Sequence, residues 1–113
     1  MTVGQLIDAG VFQILNKGTE LEKEITKPFC CDLLSFCMSK IPEGAAWVTV
    51  MGNINTLAVL TLTDAACVIL AEGAVLDDAA SKKAEKQGIT VLATELPEFD
   101  AALQIYELIH VSA

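Results

Sequence analysis

Residues 44–93 read "GAAWVTVMGNINTLAVLTLTDAACVILAEGAVLDDAASKKAEKQGITVLA", and this stretch decides the fold. Three short runs within it are rich in β-branched and other apolar side chains, which is typical of buried strands. These runs are residues 45–51, 66–70 and 89–93. Helical segments separate them, at residues 52–64 and 77–88. Strand, helix, strand, helix, strand with short connections predicts two βαβ units, so we expect the three strands to be parallel.

The flanking segments predict further elements of the same domain. They are a short helix at residues 1–10, strands at residues 11–15 and 24–26, and helices at residues 31–41 and 97–109. We expect the two early strands to extend the sheet and make it mixed. The sequence therefore predicts a single α/β domain over residues 1–113, with a mixed, partly parallel sheet, βαβ units and flanking helices.

The charge of the chain excludes two classes of partner. Seven lysines, with no arginine, stand against 15 Asp and Glu residues and give a formal net charge of −8. Nucleic-acid-binding proteins carry basic patches that neutralise phosphates, and arginine is the side chain that grips phosphate with two hydrogen bonds. We therefore expect neither nucleic acid nor an anionic membrane surface as a partner.

The apolar content indicates a subunit interface and no membrane span. Hydrophobic residues make up 53% of the chain, more than a domain of this size easily buries, so we expect a homodimer. The start of the chain lacks the pattern of a signal peptide. Asn53, Asn55 and Asp64 interrupt the apolar stretch at residues 45–76, so no run approaches the ~20 residues of a span. We expect a cytoplasmic protein with free thiols.

Three of the four cysteines lie in "KPFCCDLLSFCMSK", residues 27–40. Cys30, Cys31 and Cys37 lack the paired C-x-x-C spacing of a zinc or redox site, and the single histidine is far away, at position 110. Core packing is the favoured interpretation, because a free cysteine behaves as a small apolar residue. A redox- or metal-linked accessory protein that uses these three cysteines is the alternative.

The helix predicted in this region assigns different roles to the cysteines. Its apolar band comprises Leu33, Leu34, Cys37, Met38 and Ile41. Cys37 is therefore expected in the core, and Cys67 inside the sheet. Cys31 is expected at the start of the helix. Because helix N-termini stabilise thiolates, its thiol would be the most acidic of the four cysteines.

Three segments resemble the DRTGG-domain family. They are "EITKPFCCDLLSFCM", "GAAWVTVMGNINTLAVLTLTDAACVILAEG" and "AEKQGITVLATELPEFDAALQIYEL", and the resemblance extends from Met1 to about Leu108. Such domains are similar to the N-terminal domain of HPr kinase/phosphatase and also occur in regulatory regions of some pyrophosphatases and phosphate acetyltransferases. The resemblance implies a regulatory or ligand-sensing module, often dimeric, that lacks the kinase catalytic domain.

The signature loop of the family differs in this chain. Thr26 is kept, but Lys27 and Pro28 stand where the family has glycines. The resemblance implies a ligand at this loop, with Thr26 and Lys27 as candidate contacts. Pro28 removes the backbone freedom and the close approach that a glycine permits there.

The topology indicates a second candidate site. Ligands of parallel α/β sheets bind beyond the carboxyl ends of the strands, near helix N-termini. The residues at these junctions are Gly52, Asn53, Asn55, Glu72, Gly73, Thr94 and Glu95. The alternative is ordinary turn chemistry. Glu72 and Glu95 would repel a polyphosphate unless a divalent cation intervened, so a nucleotide or another small metabolite is compatible with the site but no cofactor is assigned.

Two aromatic residues and the missing motifs complete the functional hypothesis. Trp47 and Tyr106 are expected in the core or in an interface. No sequence of the form G-x-x-x-x-G-K-[ST], nucleophile–base pair or acid–base pair is visible, so we expect no enzyme, no catalytic residue and no metal site. The sequence favours a non-catalytic regulatory, ligand-sensing or protein-interaction module.

Overall fold

The three apolar runs form the centre of a five-stranded sheet in the computed structural model, which describes residues 1–111. The strands are β1 (Gln13–Asn16), β2 (Pro28–Cys30), β3 (Ala46–Thr49), β4 (Cys67–Leu70) and β5 (Val91–Ala93). The helices are α1 (Val3–Asp8), α2 (Leu34–Lys40), α3 (Ile54–Thr63), α4 (Asp78–Gln87) and α5 (Glu98–Val111).

The strand order is β1-β5-β4-β3-β2. Strands β2, β3, β4 and β5 run parallel, whereas β1 pairs with β5 in the antiparallel direction. The α/β class, the mixed sheet and the three parallel central strands are therefore confirmed.

Helices cover both faces of the sheet. Strand residues alternate between two apolar clusters, because successive side chains of a strand point to opposite faces. On β4, Val68 and Leu70 join the cluster that receives α2, α3 and α4, while Cys67 and Ile69 join the cluster that receives α1 and α5. All four side chains of β3 and of β4 are buried, so near-continuous apolar runs mark these strands in the sequence.

One predicted strand is wrong. Residues 24–26 form no strand; Glu24 makes only an isolated bridge to Thr2. The second strand is instead Pro28–Cys30, which the sequence suggested was a loop. Proline is tolerated there because β2 is an edge strand. The pairing with β3 begins at the Lys27 carbonyl, which accepts a hydrogen bond of 2.9 Å from the Ala46 N–H.

The predicted apolar band of α2 is only partly correct. Cys37 and Ile41 are buried and Leu34 packs against the core, but Leu33 and Met38 are 64% and 52% exposed. The helix begins at Leu34 and has seven residues, so it turns only a narrow face to the sheet. Leu33 precedes the first turn, and Met38 lies about 100° around the axis from Cys37.

Trp47 is fully buried, and its indole N–H donates a hydrogen bond of 2.9 Å to the Cys31 carbonyl. Its expected core position is therefore confirmed. Tyr106 is 51% exposed and stacks on His110 with ring centroids 4.0 Å apart, so it does not lie in the core. Among residues 1–111, none of the helices has the combination of length and apolar character that crossing a bilayer requires.

Candidate ligand-binding cleft

The loops that follow β4 and β5 are joined to each other at the carboxyl edge of the sheet. The chain leaves β4 through a sharp turn in which Glu72 has φ 59° and Gly73 has φ 69°. The Glu72 N–H then donates to the Leu96 carbonyl at 2.9 Å, and the Gly73 N–H donates to the Thr94 carbonyl at 3.0 Å. These main-chain bonds continue the β4–β5 pairing beyond the strands and fix the two loops side by side.

A cleft of about 320 Å³ opens between these loops, the edge strand β1 and helix α4. Its lining residues are Gln13, Leu15, Gly73, Ala74, Val75, Leu76, Ser81, Ala93, Thr94 and Glu95. The size is at the lower end of the range of about 300–1,000 Å³ that small-molecule sites occupy. We refer to it below as the β4–β5 cleft.

The Glu95 carboxylate lies directly over Gly73. A Cβ atom at Gly73 would lie 2.5 Å from Glu95 Oε2, so a larger residue there would displace the Glu95 carboxylate. The Thr94 hydroxyl oxygen accepts a hydrogen bond of 3.2 Å from the Leu96 N–H, which leaves the hydroxyl proton able to donate. The cleft therefore combines one carboxylate with neutral polar groups and the apolar side chains of the β4–α4 loop.

The predicted junction residues are only partly brought together. Gly73 and Thr94 line the cleft, as does Glu95. Glu72 belongs to the turn beside it. Gly52 packs beneath the same loop, because a Cβ there would lie 2.0 Å from the Val75 carbonyl oxygen. Whether these residues bind a ligand stays a prediction.

Two other predicted residues have a structural role in turn chemistry. Asn53 is the N-cap of α3, and its side-chain oxygen accepts hydrogen bonds from the N–H groups of Asn55 and Thr56 at 3.0 and 3.2 Å. This is the ordinary turn role that the sequence left open as an alternative. Asn55 lies in the exposed first turn of the same helix.

Thr26 and Lys27 lie at the opposite end of the sheet. The Thr26 hydroxyl donates to the Glu43 carbonyl at 2.9 Å, and its N–H donates to the Gly44 carbonyl at 2.9 Å, just before β3 begins. The length of the sheet separates both residues from the β4–β5 cleft. The structure therefore does not join the loop in the signature position to the strand-end residues.

Sequence reasoning missed a pair of carboxyl groups, Asp32 and Glu98, which we call the acid pair. Asp32 Oδ1 accepts hydrogen bonds from the Thr49 hydroxyl at 2.6 Å and from the Val50 N–H at 3.0 Å. The side chain of Glu98, in the first turn of α5, hydrogen-bonds the Asp32 side chain. Asp32 and Glu98 follow β2 and β5, so a correct placement of β2 would have brought Asp32 to this edge.

The two members of the acid pair hold a proton with different strength. Burial raises the pKa of Glu98 to about 7, with further contributions from the hydrogen bond to Asp32 and the charges of Asp32 and Glu72. Burial opposes ionisation of Asp32 as well, but the hydrogen bonds from Glu98, Thr49 and Val50 prevail and lower its pKa. Glu98 is therefore the protonated partner up to neutral pH.

The cysteines divide into buried and more accessible thiols. Cys37 and Cys67 are fully buried, as predicted, and burial raises the pKa of each to about 12. Cys30 is exposed as a residue, but partial burial of its thiol raises the pKa, and the charge of Glu98 is the second largest cause. The Cys31 thiol donates to the Leu33 carbonyl at 3.7 Å and interacts with Cys37; it lies before the N-cap of α2 and not at the predicted position, the helix start. Within residues 1–111, no group of three or more His, Cys, Asp and Glu side chains has the arrangement of a metal site.

No family model and no curated protein matches the sequence. Among solved structures, the chain is similar to the CBS and DRTGG domains of the regulatory region of Clostridium perfringens pyrophosphatase, in complex with its activator diadenosine tetraphosphate. The TM-score is 0.69 at 18% sequence identity, and the match covers 92% of this chain and 45% of that chain. The chain thus has a fold similar to that of a CBS and DRTGG region, and spans less than half of its length.

Proposed function

We propose that this chain is a non-catalytic regulatory module that binds a small-molecule ligand in the β4–β5 cleft. The observation that carries the proposal is the cleft itself, which lies at the carboxyl edge of the parallel strands where α/β folds bind ligands. Its two main walls are loops held together by main-chain hydrogen bonds, so a ligand would meet a largely preformed site. In the similar pyrophosphatase region, the CBS and DRTGG domains bind a nucleotide activator.

The family of the domain and the location of the protein are part of the same proposal. We assign residues 1–113 to one DRTGG-like domain, related to the N-terminal domain of HPr kinase/phosphatase and acting through a bound metabolite or a partner protein. The order of elements and the similar fold support this assignment. We also propose a cytoplasmic location, in agreement with four unpaired cysteines.

A homodimer completes the proposed function. Helix α5 exposes an apolar stripe, Phe99, Leu103 and Tyr106, at the spacing of one helix face, and these side chains are 72%, 43% and 51% exposed. Together with the apolar composition of 53%, this stripe supports association of two copies. Sedimentation velocity at micromolar concentration tests it, and a strictly monomeric species would refute the dimer.

A thermal-shift screen tests ligand binding. The compounds are mono-, di- and triphosphate nucleotides, nucleosides and diadenosine tetraphosphate, each with and without Mg²⁺. A ligand at 100 times its dissociation constant adds about 2.7 kcal/mol to the free energy of unfolding, which raises the melting temperature by several degrees. If no compound raised it, the remaining support would shift to a protein-interaction module without a ligand.

A matched pair of variants tests whether a ligand that raises the melting temperature binds in the cleft. Ser81→Phe places a ring in the cleft from the exposed side of α4, and we expect it to abolish the thermal shift. Ala79→Phe adds the same ring at an exposed position of that helix that does not line the cleft, and the shift should persist. Equal behaviour of the two variants would place the ligand elsewhere.

The contact between Cys31 and Cys37 favours a redox-linked accessory protein as a second candidate function. An external disulfide such as oxidised glutathione would take two electrons and the two thiol protons as a bond formed between the two sulfur atoms. The raised pKa of Cys37, about 12, opposes this role because little thiolate is present. Mass spectrometry after treatment with oxidised glutathione tests it. Loss of two hydrogen atoms, mapped to this pair, would support the redox function, and an unchanged mass would exclude it.

A further inference from the structure

The Glu95 carboxylate of the β4–β5 cleft has no cationic partner in the part of the chain that the structure describes. The ion pairs recorded among residues 1–111 are those of the Met1 amino group with Glu24 and of Lys23 with Asp64. Neither of them includes a residue that lines the cleft. Glu95 therefore presents an unneutralised negative charge to whatever enters.

The surroundings of the cleft add to this charge. None of the side chains that line it is Lys, Arg or His. Glu72 and Asp77 lie within the β4–α4 loop, residues 71–77, and Asp78 is the first residue of α4. With a formal net charge of −8, the whole chain attracts cations and repels anions over long range.

The N-termini of α3, α4 and α5, at this edge, carry capping or acidic side chains that disfavour a phosphate. A phosphate binds there by accepting hydrogen bonds from free main-chain N–H groups. In α4, the Asp77 carboxylate already accepts from the Ala80 N–H at 2.8 Å, and in α3 the Asn53 side chain caps the first turn. The first turn of α5 carries Glu98 and Asp100. The N-termini of α3 and α4 are thus capped by side chains of the protein, and the first turn of α5 carries acidic side chains that repel a phosphate.

The remaining lining groups suit a short apolar chain with polar ends. Leu15 and Val75 provide apolar surface, and the Thr94 and Ser81 hydroxyls and the Gln13 amide provide hydrogen bonds. An aliphatic stem could lie along the apolar residues while its charged end meets Glu95.

We propose that the β4–β5 cleft binds a small organic cation, an alkylamine or alkylguanidine, whose charged nitrogen pairs with the Glu95 carboxylate. This inference rests on the proposed function and names the class of ligand for the same site. The Glu95 charge and the capped N-terminus of α4 disfavour a free phosphate group in the cleft. A nucleotide would bind there only if its phosphates lay outside the cleft or if a divalent cation neutralised their charge.

Titration followed by amide NMR spectra tests the class of ligand. The probes are agmatine, which is cationic at both ends, adenosine, which is neutral, and AMP, which is anionic. We expect agmatine to shift the amide signals of Gly73, Thr94 and their neighbours, with an apparent affinity that falls at least tenfold in Glu95→Gln and declines with added salt. The control Glu107→Gln removes an exposed acid of α5 that does not line this cleft, and it should leave the affinity unchanged.

The outcomes separate this inference from the proposed function. If adenosine or AMP shifts the cleft signals and agmatine does not, the cation class is wrong but the cleft is still a ligand site. Agmatine shifts that are spread over the acidic surface, or that persist unchanged in Glu95→Gln, would also overturn the cation site. If none of the three probes affects the cleft, the cation inference fails, and the nucleotide screen with the Ser81→Phe and Ala79→Phe pair decides on the proposed function.

Discussion

The acidic residues described below at the two ends of the parallel sheet have different interaction partners. At the amino end, Asp64 precedes β4 and is paired with Lys23, and Glu24 precedes β2 and is paired with the Met1 amino group. At the carboxyl end, Asp32, Glu72, Glu95 and Glu98 have no such cationic partner among residues 1–111. Acids that are neutralised internally serve stability. At the carboxyl end, ionisation of Glu98 destabilises the folded protein, because its pKa is raised, whereas hydrogen bonds stabilise the ionised form of Asp32.

Among the glycines, Gly52 at the carboxyl end has the closest contact around the position of a Cβ atom, which predicts the largest effect. Gly52→Ala would place a Cβ 2.0 Å from the Val75 carbonyl oxygen, so the β4–α4 loop must move. We expect a loss of about 3 kcal/mol in the free energy of unfolding, measured by urea denaturation.

A second glycine provides the control for Gly52→Ala. Gly10 has φ +70° but nothing within 4 Å of the position of its Cβ, so Gly10→Ala tests backbone strain alone, at about 1 kcal/mol. If the two variants were equally stable, the close contact of Gly52 with the loop would not be part of the folded structure.

The acid pair predicts an intermediate effect that depends on pH. Because the pKa of Glu98 rises from 4.5 to about 7 on folding, the folded state holds this proton more tightly than the unfolded state. Stability from this group is complete below pH 4.5 and is lost as the pH rises through 7. Asp32 acts in the opposite direction, because its pKa is lowered from 3.8 and its contribution is lost in stronger acid.

Glu98→Gln removes the ionisation and keeps the hydrogen-bond donor. We expect the variant to match the wild type near pH 5 and to exceed its stability at pH 8 by about 1 kcal/mol, a value already reduced for solvent screening. Denaturation curves between pH 4 and 8 measure this difference. Glu107→Gln removes an exposed acid from the same helix and is the control for the loss of one charge. A wild-type stability that rises from pH 5 to 8 would contradict the assignment of the proton to Glu98.

The sequence revealed the central strands because burial on both sheet faces requires apolar residues at every position. Strand β2 escaped detection because it has three residues and begins with Pro28. Its strand conformation comes from pairing with β3 and not from local preference. The segment at residues 24–26 looked like a strand because Ile25 is apolar and Thr26 is β-branched, yet Ile25 is tied to the start of α1 by a hydrogen bond to the Met1 carbonyl.

The sequence predicted only those residues of the candidate site whose position follows from the order of parallel strands. Gly73 and Thr94 follow from the rule that parallel strands place their carboxyl ends together. Gln13 was not visible, because chain order does not reveal that β1 lies antiparallel beside β5, where Gln13 pairs with Ala93. Ser81 depended on the packing of α4 against the edge of the sheet, which is a tertiary property.

The ion pair at the amino end predicts the smallest effect. Lys23→Met keeps the apolar stem of the side chain and removes the charge that pairs with Asp64. Because the Asp64 side chain is 59% exposed, we expect a loss of only about 0.5 kcal/mol at low salt, and none in 1 M NaCl. Lys17→Met, at an exposed lysine outside the recorded ion pairs of residues 1–111, is the matched control. A larger loss that is insensitive to salt would mean that the amino end relies on Lys23 for more than surface charge, and the contrast between the two ends would then be one of packing instead of electrostatics.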